Sequence, residues 1–289
     1  MASDDTRTGL LLVVPLIVLE FVIALFPMAY SFWLSIHSAS LIGGIGKYVG
    51  LSNYVEIGGD YFIGPAALVT IRFTAEVVIL VFLISMGLAL LLNEPLRGRS
   101  LLKVIIILPW ALSEFAVAIT GRFFLDSNYG FLNSILIRLH LVKYGIFFLN
   151  AQYAVEWLAI FYAWNFAPIG AFFILSSLQT IPADLYKAAK IDGASIVDRF
   201  RRVTFPYIKY PVLITLVLAT LQAADSVVIS FALTGGGPGN ASEPITLYAF
   251  TVFFDQSNYG YGSAISWVTL LFVAMATTSY FYLLARRKA

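Results

Sequence analysis

Six stretches of this chain are apolar for about the 20 residues that a helix needs to cross a hydrocarbon core roughly 30 Å thick. They run over 9–36, 66–92, 101–124, 153–178, 207–233 and 261–284. Inside lipid a segment must satisfy its own backbone polar groups, which leaves helices or closed barrels, and these runs lack the strict alternation of a barrel strand. The whole chain agrees: 60% of its 289 residues are hydrophobic, 12% are charged, and its mean hydropathy is +0.87. The expected fold is therefore an all-α integral membrane protein, one transmembrane domain over 1–289 with six helices.

The first run is read as an anchor rather than a signal peptide. Ser38, Ala39 and Ser40 resemble a cleavage site, but the apolar stretch far exceeds an h-region of about 7 to 15 residues. Asp4, Asp5 and Arg7 also make a poor positive leader. No cysteine is present, which removes disulfides and thiolate metal sites.

With the N-terminus inside, 13 of the lysines and arginines fall in inner segments and four (Lys47, Arg122, Arg138 and Lys143) in outer ones, Arg72 being within the second run. That bias predicts a cell-membrane protein with both termini cytoplasmic, and it makes 179–206 a cytoplasmic loop.

Residues 179–206 form a charged insert between two spans. Pro182 suits a helix start, Ala183 to Lys190 are good helix formers, and Gly193 permits the left-handed geometry that ends a helix. Ser195 and Asp198 have capping-box spacing, and Pro206 is expected to close this second helix before the fifth span. A helix this short needs something to pack against. Two supports are open to it: the inner ends of its own bundle, or a separate partner.

The spacing of Lys187, Ala188, Ala189, Gly193, Val203 and Pro206 resembles the signature loop of ABC-importer permease subunits. The resemblance implies a coupling helix, including Asp192, seated in a separate ATPase subunit. Lys187 stands where that family usually carries Glu, so the local charge is reversed. "GLSNY" at Gly50 to Tyr54, "LPW" at Leu108 to Trp110, "NYGFLN" at Asn128 to Asn133 and "LTGGGPGN" at Leu233 to Asn240 resemble, in order, the carbohydrate-type permeases typified by maltose and glycerol-phosphate importers. The C-terminal Arg286, Arg287 and Lys288 are closer to the maltose-F type of the permease pair. That resemblance implies a type I importer permease fold, a second permease subunit, ATPase subunits holding ATP and Mg, and an extracytoplasmic solute-binding protein that meets Gly235, Gly236, Gly237 and Pro238. By composition alone, the same glycine-rich stretch is a turn-rich outer loop.

A charge at the bilayer centre is unfavourable by about 2.5 to 3.5 kcal/mol on insertion scales, so polar groups deep in the spans mark a transport route or a structural lock. Glu20, Glu76, Glu114 and Asp225 lie there, with Arg72 one turn from Glu76 and so expected to pair with it. Gln222, Asp225, Ser226 and Ser230 are expected to share one helix face and, with Trp164 and Asn165, to line a solute path. Asp225 falls roughly 12 Å below the outer end of its span. Pro109 is expected to kink the third span.

The function expected is a pore subunit of an ATP-driven importer for a sugar or related polar solute. The alternative is a proton-coupled secondary transporter built on the buried acids, which would need no ATPase-docking loop. An enzyme is disfavoured: His37 and His140 are the only histidines, and no nucleophile or metal-ligand spacing occurs. The "GGIGKY" run at Gly43 to Tyr48 departs from a phosphate loop, so the chain is expected to bind no cofactor, metal or nucleic acid itself.

Overall fold

The computed structural model describes residues 13–286; the opening of the first apolar run, its acidic leader, Arg287 and Lys288 lie outside them. In chain order the elements are α1 (Val13–Ser35), a hairpin of β1 (His37–Ser40) and β2 (Gly44–Tyr48), α2 (Ser52–Ile57), α3 (Ile63–Asn93), α4 (Arg99–Ala111), α5 (Glu114–Leu125), α6 (Phe131–Arg138), α7 (Ala154–Leu178), α8 (Ala183–Ile191), α9 (Ile196–Asp225), α10 (Val228–Leu233), α11 (Ile245–Asp255) and α12 (Tyr259–Arg286). Among the described residues, α1, α3, α7, α9 and α12 are long and apolar enough to cross a membrane. The pair α4 and α5 makes a sixth crossing if taken together, although it is bent by 93°.

Two of the expected spans differ from the runs read in the sequence. The third is broken, with Leu112 and Ser113 extended between α4 and α5. Pro109 lies just before the break, lacks an N–H and crowds the preceding turn. The fifth starts earlier and ends earlier. Pro206 stands at the start of an α-helical stretch that follows a π-helical turn, Phe200–Thr204, and the helical path from Ile196 to Asp225 is continuous. A proline whose missing N–H falls in a widened turn ends nothing.

The described residues divide into two compact units, one of 13–63 with 248–271 and the other of 64–247 with 272–286. In the first, β1 and β2 pair antiparallel, and the Asn53 side-chain amide donates to the carbonyls of Ser35 (2.8 Å) and His37 (3.1 Å). Tyr54 hydroxyl sits 2.7 Å from Ser35 Oγ, so the "GLSNY" stretch is a peg that fixes the exit of α1. The hydroxyls of Tyr248 and Tyr261 both donate to Asp60 Oδ2, each at 2.7 Å. Burial pushes the Asp60 carboxyl up, but these two bonds and one from the Phe62 N–H together hold it below the usual carboxylate range.

The second unit packs α3, α7 and α9 around two apolar clusters. Phe73, Val77, Val81, Leu158, Tyr162, Ile229 and Leu233 belong to one; Met86, Leu92, Ile174, Leu178, Ile208 and Val212 belong to the other. Small residues let the helices approach, as helix packing in lipid requires. A Cβ on Gly170 would stand 2.4 Å from Thr215 Cγ2 and 2.6 Å from Ser85 Oγ, so α7 touches both neighbours at this point.

Candidate solute path and coupling loop

Both breaks in the second unit are stitched by polar side chains. The Asn165 side-chain amide of α7 donates to the carbonyls of Pro109 (2.5 Å) and Leu112 (3.3 Å), which the end of α4 would otherwise leave open. Ser113 caps α5, its Oγ accepting from the Ala116 N–H at 3.2 Å. Glu114 reaches the other break: its Oε1 accepts the Ser226 hydroxyl and, at 3.2 Å, the Ile229 N–H in the first turn of α10. A carboxylate at a helix start is favoured by the helix dipole and by the free N–H groups there. Broken helices inside a membrane protein occur where backbone lines a cavity or is buried in protein.

This geometry reorders the expected path residues. Ser226 is extended (φ −75°, ψ 103°), so Gln222, Asp225, Ser226 and Ser230 do not form one stripe. Gln222 and Asp225 are exposed at the end of α9, whereas Ser226 and Ser230 are buried. Trp164 is exposed beside Asn165. Tyr162 of the same helix as Trp164 and Asn165 is buried. Glu114 is thus a structural clamp beside the path. Its depth within an apolar run marks it in the sequence, but its partners Ser226 and Ile229 are not legible there.

Arg72 donates from Nε to Glu76 at 2.9 Å, as expected, and also pairs with Glu156 of α7, which local spacing could not reveal.

The "TGGGPGN" stretch is a built loop. Gly235, Gly236, Gly239 and Asn240 all take positive φ, which glycine and asparagine tolerate. Ser242 hydroxyl donates to the Gly237 carbonyl at 2.7 Å, and Gly236 N–H donates to Thr234 Oγ1. Next to it is a cavity of about 300 Å³ lined by Arg122, Asp126, Ser127, Phe147, Thr234 and Gly237 among others. The "NYGFLN" stretch supports that rim. The Asn133 side chain is buried and bridges the Asp126 carbonyl to both backbone groups of Ile146, at 2.8 to 2.9 Å.

The loop 179–206 takes the expected helix, glycine, helix form. Gly193 (φ 76°) ends α8 in a Schellman arrangement, with its N–H on the Lys190 carbonyl (3.2 Å) and the Ala194 N–H on the Ala189 carbonyl (2.9 Å). Pro182 is the N-cap residue of α8. Ser195 Oγ then accepts from the Asp198 N–H at 3.1 Å to start α9. Lys187 pairs with Asp184 of its own helix at 2.9 Å, both exposed, a contact of little energetic weight. Tyr186 turns inward, its hydroxyl 2.9 Å from Thr204 Oγ1, and packs with Phe200 and Val203 against the second cluster. Facing out are Ile191 (85% exposed), Ile196 (76%) and Val197 (64%), around Asp192 and Gly193.

Apolar spans, two of them broken around polar clamps, and a charged loop with a bare apolar tip define a multi-pass membrane permease. Residues 82–288 match the family of binding-protein-dependent transport system inner membrane components, and the chain belongs to that family. The trehalose/maltose transport system permease protein MalF of Thermococcus litoralis is 34% identical over 96% of this chain and 93% of its own. The sulfoquinovosyl glycerol transport system permease protein SmoG of Agrobacterium fabrum is 29% identical over 98% and 92%. In structure, the chain is similar to one from a bacterial alginate ABC transporter solved in complex with an alginate pentasaccharide-bound periplasmic protein. That match has a TM-score of 0.83 at 20% identity, covering 99% of this chain and 97% of the other, and it establishes the type I permease fold.

Proposed function

We propose that this permease is one half of the pore of an ATP-driven saccharide importer, moved by a separate ATPase that grips the loop 179–206. The single observation that carries the coupling is the loop's two-sidedness. Ile191, Ile196 and Val197 project outward, uncovered by any of the described residues, while Tyr186 and Phe200 root the same loop in the helix bundle. Exposed apolar side chains on a charged segment mark a protein contact.

The continuity of α9 supplies the transmission. Its 30 residues, at about 1.5 Å each, reach about 45 Å from the Gly193 turn to Asp225 and Ser226. A displacement of the loop therefore arrives at the clamp of Glu114 and at the path residues Gln222, Asp225, Trp164 and Asn165. Rigid movement of α9 against α5 would open and close the path, with Glu114 releasing and regaining the start of α10. Ser226, bound to that clamp, acts in the switch as well as beside the path.

In this reading Lys187, Ala188, Ala189, Asp192 and Gly193 form the ATPase contact, and Pro206 lies within the transmitting helix. ATP and Mg belong to the ATPase, and this chain binds no cofactor and catalyses no reaction. Gly235, Gly236, Gly237 and Pro238 meet a solute-binding protein, by analogy with the alginate transporter's complex. A second permease subunit completes the pore, and both termini face the cytoplasm, as the Lys and Arg bias supports. The relatives named for trehalose, maltose and sulfoquinovosyl glycerol support a saccharide or glycoside as solute. A proton relay is not favoured, because Glu114 is held as a helix cap and Arg72 takes up Glu76 and Glu156.

The chain lacks cysteine, so Ile196→Cys places one thiol at the loop's tip. Cross-linking from it to the co-expressed ATPase in membranes supports the reading; exclusive labelling by water-soluble maleimide with no cross-link contradicts it.

A further inference from the structure

Among the described residues α7 is the most enclosed of the long helices: 61% of its apolar stretch is buried, against at most 33% of any other. Even so, the half that begins at Tyr153 keeps one side open. Tyr153, Ile160 and Trp164 are exposed, and the side chain of Glu156 is 36% exposed. These four stand at i, i+3, i+7 and i+11, the spacing of one helix face. Further along, the same face is shut, since Ala167, Pro168 and Ala171 are buried. From Tyr153 to Trp164 the open side is about 16 Å long at ~1.5 Å per residue, roughly half of a hydrocarbon core.

This open side carries charge. Glu156 accepts from Arg72 of α3, which also donates to Glu76, and the Arg72 side chain is 46% exposed. One guanidinium between two carboxylates leaves the trio net negative, a group that lipid tails exclude. Ionisable side chains of spanning helices turn instead to the bundle interior or to water. The described residues leave Arg72 and Glu156 partly uncovered, so the interior of this bundle does not take them up fully. The centre of a protein contact suits them no better, because charged side chains are depleted there. Water is the surrounding that fits.

The rest of the face points to what passes along it. It ends at Trp164, next to Asn165, and both are path residues; Asn165 ties α7 to the break between α4 and α5. The open side thus prolongs the proposed path toward the helix end at Tyr153, which the Lys and Arg bias makes the outer end. Tyr153 and Trp164 offer flat apolar faces to the C–H groups of a sugar ring, and Arg72 brings N–H donors for its hydroxyls.

We propose that Tyr153, Glu156, Ile160 and Trp164, with Arg72, form one wall of a water-filled approach to the solute path, the facing wall belonging to the second permease. The proposal rests on the pore reading above and extends it to Tyr153, Ile160 and the Arg72–Glu156 pair. A saccharide released on the outer side would pass Tyr153 and Arg72 before it reaches Trp164.

The test is thiol accessibility in the complete transporter held in nanodiscs, read by the mass of this chain. The chain lacks cysteine, so Ile160→Cys carries one thiol on the open side and Ala159→Cys one thiol at a fully buried neighbour. A quaternary-ammonium methanethiosulfonate, which is charged and water-borne, is expected to label Ile160→Cys at least tenfold faster than Ala159→Cys. Should Ile160→Cys fail to assemble, Tyr153→Cys and Trp164→Cys are expected to show the same ratio. Labelling by lipid-soluble N-ethylmaleimide alone marks a lipid-facing side and overturns the proposal. Labelling by neither reagent marks a side covered by the second permease and overturns it as well. ATP-driven sugar uptake by the parent in vesicles is measured alongside. Uptake with a closed Ile160→Cys thiol refutes the open wall and leaves the importer standing, whereas an open thiol without uptake supports the wall and counts against the importer.

Discussion

Replacing Glu114 by Ala tests the clamp most sharply. The carboxylate accepts two bonds, from the Ser226 hydroxyl and from the Ile229 N–H, and both donors stand at a helix break inside the bundle. Hydrogen bonds to a charged group contribute about 1.5 to 3 kcal/mol each, so the pair sums to about 3 to 6 kcal/mol if both donors are left dry. Glu114 is only partly buried, and water can reach part of the gap, which favours the lower end, about 3 kcal/mol. At about 1.4 kcal/mol per factor of ten, that is roughly a hundredfold shift against the state that holds the clamp. Glu114→Gln keeps an acceptor oxygen and loses only the charge assistance, so its shift is about tenfold. Thermal melting of the purified transporter and initial uptake of its solute into vesicles together read this out. Ala should melt well below the parent with uptake strongly reduced, and Gln should fall between. An Ala variant that melts and transports like the parent refutes the clamp.

Other substitutions separate shape from conformation. Gly193 has φ 76° and open space where a Cβ would stand, so the constraint there is the backbone alone. Gly193→Asn should therefore keep uptake near the parent, while Gly193→Val, whose branched side chain resists the left-handed region by more than the usual ~1–2 kcal/mol, should lower it; equal uptake would remove the turn from coupling. Gly170→Leu drives a side chain into Thr215 and Ser85 and should destabilise by at least the ~1–3 kcal/mol typical of overpacking, seen as a lower melting temperature. The Asp60 carboxyl is held below its ordinary value, so its contribution is fully present above about pH 3.8 and fades as pH falls through the lower folded value. Asp60→Asn should flatten that part of an acid-stability profile, and an unchanged profile would contradict it.

The long apolar helices were legible because a bilayer demands runs of a length that hydropathy exposes. The loop was legible for a local reason: Pro182, Gly193 and the Ser195 cap are each decided within a few residues. What escaped is what depends on contacts distant in sequence. The break at Ser226 cannot be read from an apolar run, since the carboxylate that makes it tolerable comes from Glu114, 112 residues earlier. Asn165 likewise has a second role that the sequence conceals, its amide holding the distant carbonyls of Pro109 and Leu112. Pro206 is not the stop that its residue type suggests, because its effect depends on the π-helical turn before it. The hairpin at His37 to Tyr48 leaves little trace in the sequence, its strands being short and rich in glycine and serine.

The central claim is that solute crosses only when a separate ATPase moves the loop. Vesicles holding this chain, its second permease and the ATPase, with solute-binding protein outside and ATP enclosed, should accumulate a labelled sugar that the binding protein takes up. The same vesicles without ATP should not. Accumulation by this chain alone, driven by a proton gradient, would contradict the account.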